Sequence, residues 1–137
     1  MDLPEGFQDL FDDVTRAFLA LATVRGPNEP VVSPVWFVAD GDGLLFVTDT
    51  GAAKARDMRS RPQVAGIVMA EAEHERYVSV RGRADEITGE KGLDPVALYR
   101  RIVRRYEGRD PEQPFEGAVF RLIPVRLTGY DYRDSAL

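Results

Sequence analysis

The sequence predicts a mainly β protein, a small barrel of about six antiparallel strands that forms a single domain over residues 1–137. The 137 residues fit one domain. Short runs rich in β-branched and aromatic residues alternate with turns that contain glycine and proline. Consecutive strands are joined by short turns, and the second and third strands are linked by too few residues for a parallel crossover, so an antiparallel sheet is expected. About six strands are enough to close a small barrel.

The first half of the chain predicts an amphipathic helix followed by three strands. Phe7, Leu10, Phe11 and Val14 recur at the i, i+3, i+4 and i+7 spacing of one helical face. In the first strand, a run of alanine and leucine leaves a helix as the competing interpretation. The second and third strands meet at a glycine turn that is typical of a hairpin. The strands are expected over residues 17–25, 31–40 and 44–50.

The second half predicts two helices and three strands. Asp94 and Pro95 are suited to the N-cap and first turn of one helix, and Gly108 to its end. Four arginines on the face opposite its apolar residues are interpreted as solvent-exposed. They are Arg100, Arg101, Arg104 and Arg105. The predicted elements are helices over 52–61 and 94–106 and strands over 64–70, 77–87 and 117–132, the last broken at Pro124.

Composition excludes several classes of function. The chain contains no cysteine, which excludes disulfides, thiol catalysis and iron–sulfur clusters. Its one histidine, His74, lies in an acidic hydrophilic segment and is expected to be exposed, so no metal site is predicted. A net charge of −5 disfavours nucleic acid as a partner. The acidic N-terminus and the lack of a long apolar run predict no signal peptide, no membrane span and a cytoplasmic location.

The most informative segment for chemistry covers residues 46–61. A strand ends near Thr48, a turn with Thr50 and Gly51 follows, and a helix begins with Lys54 in its first turn. The unpaired N–H groups and positive dipole of a helix start, together with an ammonium and hydroxyls, suit a phosphate. The alternative is an ordinary helix cap beside solvent-exposed charges, and the pattern alone favours that alternative.

Three arginines continue the positive charge of this segment. They are Arg56, Arg59 and Arg61. They are interpreted either as a basic channel for an extended anionic group or as a solvent-exposed face interrupted by Asp57. The channel hypothesis depends on the neighbouring phosphate site.

The residues alone leave the roles of two strand motifs undecided. Trp36 stands close to Pro34, which is expected at an edge, bulge or bend because proline donates no hydrogen bond. Trp36 is either a core residue or an aromatic wall beside a flat heterocycle. Arg81 and Arg83 bracket Gly82 and share one face of a strand, which indicates either a ligand site or an outward charged face.

Read in order, these segments resemble the pyridoxamine 5′-phosphate oxidase-like family of FMN-binding split β-barrels, most closely its branch that uses the deazaflavin coenzyme F-420. The resemblance covers residues 17–87 and extends to the final strand. The motifs that carry it are LATV at 21–24, PVWF at 34–37, the threonine-to-lysine run at 48–54, RPQV at 61–64 and VRGRA at 80–84.

The resemblance implies a homodimer with two cofactor sites at the subunit interface. It implies that the PVWF strand runs along the tricyclic ring of the cofactor and that Thr48 and Lys54 hold its phosphate. The four strand residues concerned are Pro34, Val35, Trp36 and Phe37.

One departure from the family pattern bears on which of two cofactors the chain binds. True pyridoxamine phosphate oxidases carry serine, arginine and lysine at the helix start, where this chain has Ala52, Ala53 and Lys54. That change disfavours FMN and suits F-420, whose phosphodiester and oligoglutamate tail need an extended basic groove. The implied activity is hydride transfer from reduced F-420 to an unsaturated organic small molecule, with no catalytic side chain assigned. The alternatives are an FMN-binding oxidoreductase and a non-catalytic cofactor- or tetrapyrrole-binding protein.

Overall fold

The computed structural model of the protein describes residues 1–134, which form seven strands, two α-helices and one 3-10 turn. The 3-10 turn covers Gln8–Phe11. The strands are β1 (Ala17–Val24), β2 (Pro30–Val35), β3 (Val38–Asp40), β4 (Gly43–Thr48), β5 (Gln63–Ala70), β6 (Glu73–Glu86) and β7 (Ala118–Asp131), and the helices are α1 (Ala53–Ser60) and α2 (Pro95–Glu107). No helix within residues 1–134 is long and apolar enough to cross a membrane.

The strands form one antiparallel sheet in the order β2-β1-β5-β6-β7-β4-β3. Its two edge strands, β2 and β3, are consecutive in the chain and are joined only by Trp36 and Phe37. A three-residue step spans at most about 11 Å, so the sheet must curl until its edges approach each other. The predicted split β-barrel is therefore confirmed, with the split between β2 and β3.

The prediction of one continuous strand over residues 31–40 is wrong. The chain leaves one sheet edge after Val35 and joins the opposite edge at Val38, which gives seven strands instead of six. The strand-like composition continues through the crossing because Phe37 is a core residue with no exposed surface. Pro34 does lie in an edge strand, as expected of a residue without a backbone N–H.

The barrel interior follows the strand alternation. On β1 the odd-numbered residues point inward, and Leu19 and Leu21 are fully buried. Phe46 and Phe120 stack across β4 and β7 with ring centroids 5.9 Å apart. Full burial of one such side chain stabilises the fold by about 1.5–3 kcal/mol. A second cluster packs α2 against the outside of β3, β4 and β7, and it contains Val38, Leu45, Ile87, Leu98, Ile102, Tyr106 and Val119.

The first helix is the other element predicted wrongly. Phe7, Leu10 and Phe11 are buried, but Val14 is 86% exposed. The Asp12 carboxylate accepts the N–H groups of the two residues that follow Asp13, at 2.9 and 2.6 Å, and this local turn replaces further helix. In contrast, α2 begins as predicted, because the Asp94 side chain accepts the N–H of residue 97 at 3.0 Å.

Candidate cofactor site

The break between β2 and β3 divides residues 34–37 into two pairs with opposite orientations. Val35 and Phe37 point into the core and are 6% and 0% exposed. Pro34 and Trp36 face outward, and Trp36 is 44% exposed. Trp36 is therefore not a core residue. The side chains of Val35 and Phe37 are therefore withdrawn from any ligand, whereas Pro34 and Trp36 offer side-chain surface.

The outward face of Trp36 is held against α2. Its indole stacks on the ring of Tyr106 with centroids 4.8 Å apart and planes 3° apart. A cavity of about 320 Å³ adjoins this pair. Its lining residues are Arg16, Phe18, Pro34, Trp36, Glu71 and Tyr106. The stack gives Trp36 a fixed orientation at the edge of the split.

Two side chains from the end of α2 satisfy the backbone of the split. The Tyr106 hydroxyl accepts the N–H of Phe37 at 3.1 Å and donates to the carbonyl of Ala17. Arg105 donates to the carbonyls of Phe37 at 2.7 Å, Leu10 at 3.0 Å and Thr15 at 3.0 Å. These bonds replace the strand partners that Phe37 lacks, so α2 determines the position of the break.

Arg105 corrects the prediction that all four α2 arginines are solvent-exposed. It is 5% exposed, and burial lowers the pKa of its guanidinium. Burial likewise raises the pKa of the Tyr106 phenol. The sequence offered no signal for this role, since Arg105 lies in a row of arginines whose other members pair at the surface. Arg104, for example, pairs with Asp110.

The predicted phosphate segment forms the β4–α1 turn. Thr48 ends β4 half-buried, and Thr50 and Gly51 are exposed. The N-cap of α1 is Ala52, which offers no side-chain acceptor to the first N–H groups of the helix. Within residues 1–134, Lys54 makes no hydrogen bond or ion pair. The turn thus presents an uncapped helix start beside an uncompensated ammonium.

The three arginines of α1 and its C-cap differ in their partners. Arg59 makes a two-pronged ion pair with Glu86 at 2.7 and 3.1 Å and donates to the Thr50 carbonyl at 2.8 Å. This guanidinium holds the pKa of Glu86 below its usual value. Within the described part of the chain, Arg56 and Arg61 hydrogen-bond only to carbonyl oxygens, at 3.3 Å each. Positive charge without an acidic partner therefore resides on Arg56 and Arg61, while Arg59 supports the turn.

Asp57 does not interrupt this charged face. It points inward, is 7% exposed, and its carboxylate lies 3.4 Å from the Arg25 guanidinium, where one of its oxygens has no hydrogen bond. His74 is exposed. Among residues 1–134, no group of three or more histidine, aspartate or glutamate side chains is placed to hold a metal ion.

The fold and the strand break define a split β-barrel of the FMN-binding type. Within this class, the chain belongs to the pyridoxamine 5′-phosphate oxidase family, whose model matches residues 6–130. It is 30% identical to an F-420 reductase of known structure, over 92% of this chain and 98% of the other, with a TM-score of 0.75. The predicted resemblance to this family and to its F-420-linked branch is confirmed.

More distant structures share the fold. A conserved hypothetical protein from Mycobacterium tuberculosis is 20% identical over all of this chain and 90% of its own, with a TM-score of 0.74. A heme storage protein from Vibrio cholerae is 22% identical over 95% of this chain and 96% of its own, with a TM-score of 0.67. No curated protein matches the chain.

Proposed function

We propose that the protein is an F-420-dependent reductase that transfers a hydride from the reduced deazaflavin to an unsaturated organic substrate. The observation that carries the proposal is the β4–α1 turn, where an uncapped helix start adjoins the unpaired ammonium of Lys54. The 30% identity to an F-420 reductase supports the same assignment. The deazaflavin supplies the hydride chemistry, and the protein supplies binding and orientation.

In this proposal, the phosphate of the cofactor binds at the β4–α1 turn. Lys54 provides a full charge, the first N–H groups of α1 provide donors, and Thr48 and Thr50 provide hydroxyls. Ala52 and Ala53 leave this site without the serine and arginine of the FMN-binding oxidases. A single lysine suits a phosphodiester, which carries one negative charge, better than a phosphate monoester with nearly two.

The tricyclic ring is proposed to lie along the outer edge of β2. This strand pairs only with β1, so its other edge has backbone N–H and C=O groups without a strand partner. Pro34 and Trp36 offer apolar surface to the ring, and Val35 adds backbone groups beside them, whereas the N–H and C=O of Phe37 are bound by Tyr106 and Arg105. A flat heterocycle needs this combination of apolar faces and a few fixed polar contacts.

The charged tail of the cofactor is proposed to follow α1. Arg56 and Arg61 extend the positive charge of Lys54, and neither has an acidic partner within residues 1–134. Gly51 lies at the exposed tip of the turn, where an added Cβ would meet no atom within 4 Å. Arg59 contributes by fixing the Thr50 carbonyl.

We further propose that the protein acts as a homodimer with the cofactor sites at the subunit interface. The outer face of β2, β1 and β5 bears apolar side chains that, among residues 1–134, belong to neither of the two core clusters. Val32 is 66% exposed there. An apolar sheet face of this kind is typical of an interface. The side chains that form it are Phe18, Ala20, Ala22, Val32, Ile67 and Met69.

The proposal is tested by titrating the cofactor-free protein with F-420 and, in parallel, with FMN. Deazaflavin fluorescence reports the first titration and flavin fluorescence the second. We expect micromolar or tighter binding of F-420 and clearly weaker binding of FMN. Tighter binding of FMN would refute the deazaflavin assignment, and binding of neither would refute the cofactor site itself.

A further inference from the structure

Two arginines face each other across neighbouring strands on the outside of the barrel. Arg81 on β6 is the direct cross-strand partner of Arg126 on β7, and both are exposed. Like charges in directly opposite positions of an antiparallel pair destabilise the sheet. An anion bound between them would remove this cost.

Among the arginines of β6 and β7, only this pair lacks an acidic partner within residues 1–134. Strands β6 and β7 carry five arginines, and three of them have carboxylates within 3.0 Å. Those three are Arg76, Arg83 and Arg121. Arg81 and Arg126 have none within 4.0 Å among residues 1–134, and Arg126 makes only a long 3.5 Å contact with Thr128. The protein has more acidic than basic residues, so a shortage of carboxylates does not explain why this pair lacks acidic partners.

A β-bulge determines where Arg126 points. Arg81 pairs with Arg126, but the next residue, Gly82, pairs with Pro124, so Val125 is the extra residue of β7. A regular strand would direct Val125 and Arg126 to opposite faces. Here both consecutive side chains line the same surface, and Val125 is 83% exposed. Bulges re-aim side chains in this way beside binding sites.

The surface around the pair has a polar and an apolar part. A cavity of about 260 Å³ is lined by Ser79, Arg81, Arg126, Thr128 and Tyr130, all of which carry hydrogen-bonding side chains. The two arginines also border an open trough of about 750 Å³. Apolar side chains of Ala22, Val24, Ala65 and Val125 line much of that trough.

The trough leads toward the proposed ring site. It ends at Pro30, which lies on the same face of β2 as Pro34, because the two are four residues apart. Four residues of a strand span about 13 Å. From β2 to β7 the trough crosses four strand spacings, or about 19 Å. A molecule held at the arginine pair by one end must therefore be about 19 Å long for its other end to reach Pro30 on β2.

We propose that Arg81 and Arg126, with Ser79, Thr128 and Tyr130, bind a carboxylate of the organic substrate, whose apolar body lies in the trough. None of these five residues belongs to the proposed cofactor site, but Ser79 and the trough adjoin the apolar face proposed as the dimer interface, so the subsite lies at the border of that interface. The inference rests on the proposed function only where it identifies the bound carboxylate as part of the substrate. The carboxylate subsite itself is independent of F-420.

The test uses 2-naphthoate as the probe and its neutral amide, 2-naphthamide, as the comparison. Dissociation constants are measured by NMR titration of the cofactor-free protein. Arg81→Gln and Arg126→Gln are compared with Arg83→Gln and Arg121→Gln, which remove the same charge from the same two strands. We expect naphthoate to bind more tightly than the amide. The affinity for naphthoate should fall about ten-fold in Arg81→Gln and Arg126→Gln, and less than about two-fold in the two control variants.

Three results would overturn the proposal. The first is equal affinity for the acid and the amide. The second is an equal loss of affinity in the control variants. The third is that the parent protein does not bind naphthoate and Arg81→Gln only shifts the protein toward monomer. Well-dispersed NMR spectra identify variants that fold, and Arg81→Lys, which keeps the charge, is expected to retain part of the affinity. Naphthoate must also bind when F-420 is saturating, since displacement would overturn the assignment to the substrate. If F-420 itself does not bind, the proposed function fails, and the naphthoate titration still tests the subsite.

Discussion

The guanidinium of Arg105 lies 4.6 Å from the centroid of the Phe37 ring and donates a 2.7 Å hydrogen bond to the carbonyl of the same residue. Its other donors reach the carbonyls of Leu10 and Thr15. A buried arginine without a carboxylate is costly unless its donors are satisfied. Here one side chain joins α2, the N-terminal segment and the strand break. The orientation of Trp36 therefore depends on a residue that makes no contact with the cofactor in our proposal.

Replacing Arg105 with methionine is expected to lower the free energy of unfolding by about 2–3 kcal/mol. The variant keeps much of the apolar stem but removes the charged donor from three carbonyls, of which those of Thr15 and Phe37 keep a second donor. Hydrogen bonds to charged groups contribute about 1.5–3 kcal/mol. The control is Arg104→Met, which removes an exposed ion pair with Asp110 and should cost less than about 1 kcal/mol. Urea unfolding measures both. Equal losses in the two variants would contradict the structural role of Arg105.

The strands were the most predictable part of the fold. Local composition and turn residues identified β1, β4, β5 and α2 to within a few residues, because these elements depend on short-range patterns. The crossing at Trp36 and Phe37 was not predictable in this way. Which edge a strand joins depends on closure of the whole sheet, and the residues at the crossing have ordinary strand composition.

The candidate site was predictable only in part. The helix start next to Lys54, the strand end at Thr48 and the edge position of Pro34 were predicted from local patterns. The pairing of Arg59 with Glu86 was not, since the two residues are 27 positions apart and only the folded barrel brings them together. The same holds for Arg105, whose burial depends on the gap at Phe37.

Lys54→Ala is expected to weaken F-420 binding by about 1.5–3 kcal/mol, or roughly 10- to 150-fold, because a charge-assisted bond to the phosphate is lost. The chain offers a matched control in Lys91→Ala, since Lys91 is the other lysine and lies exposed in a turn. Fluorescence titration measures both variants. Unchanged affinity in Lys54→Ala would remove this residue from the phosphate site.

Variants of Arg59 and Glu86 test whether Arg59 contacts the cofactor directly or supports the β4–α1 turn. If Arg59 acts by holding the Thr50 carbonyl, Arg59→Met and Glu86→Gln should both weaken F-420 binding, by about two- to five-fold, since each loosens the same turn. The two changes combined should then cost little more than either alone. If Arg59 instead binds the cofactor directly, Glu86→Gln frees its charge and the affinity should rise. A rise in affinity would thus contradict the supporting role.

The stability of the N-terminal segment should depend on pH through Asp9. Two hydrogen bonds from Arg76, at 2.8 and 2.6 Å, hold the pKa of this carboxyl below its usual value. A lowered pKa in the folded state stabilises the protein above the unfolded pKa of about 3.9, and this contribution is lost as the pH falls through the folded value. Asp9→Asn should therefore be less stable than the parent in urea at pH 7, and the difference should shrink at about pH 2–3. A difference that stays constant over this range would show that the ion pair does not contribute.

The outer sheet face offers a test that couples assembly to cofactor binding. Ile67 lies near its centre, opposite Ala20 of β1 and Ser79 of β6. A glutamate at this position would place a charge within the proposed dimer interface, where an unpaired charge is strongly unfavourable. We expect Ile67→Glu to sediment as a folded monomer and to bind F-420 weakly, because half of each site is then missing. Val14→Glu is the control, since Val14 is 86% exposed on the N-terminal segment and the same change there should leave the dimer intact. A monomeric Ile67→Glu protein with full affinity for F-420 would show that one barrel holds the cofactor alone, and an unchanged dimer would place the interface elsewhere.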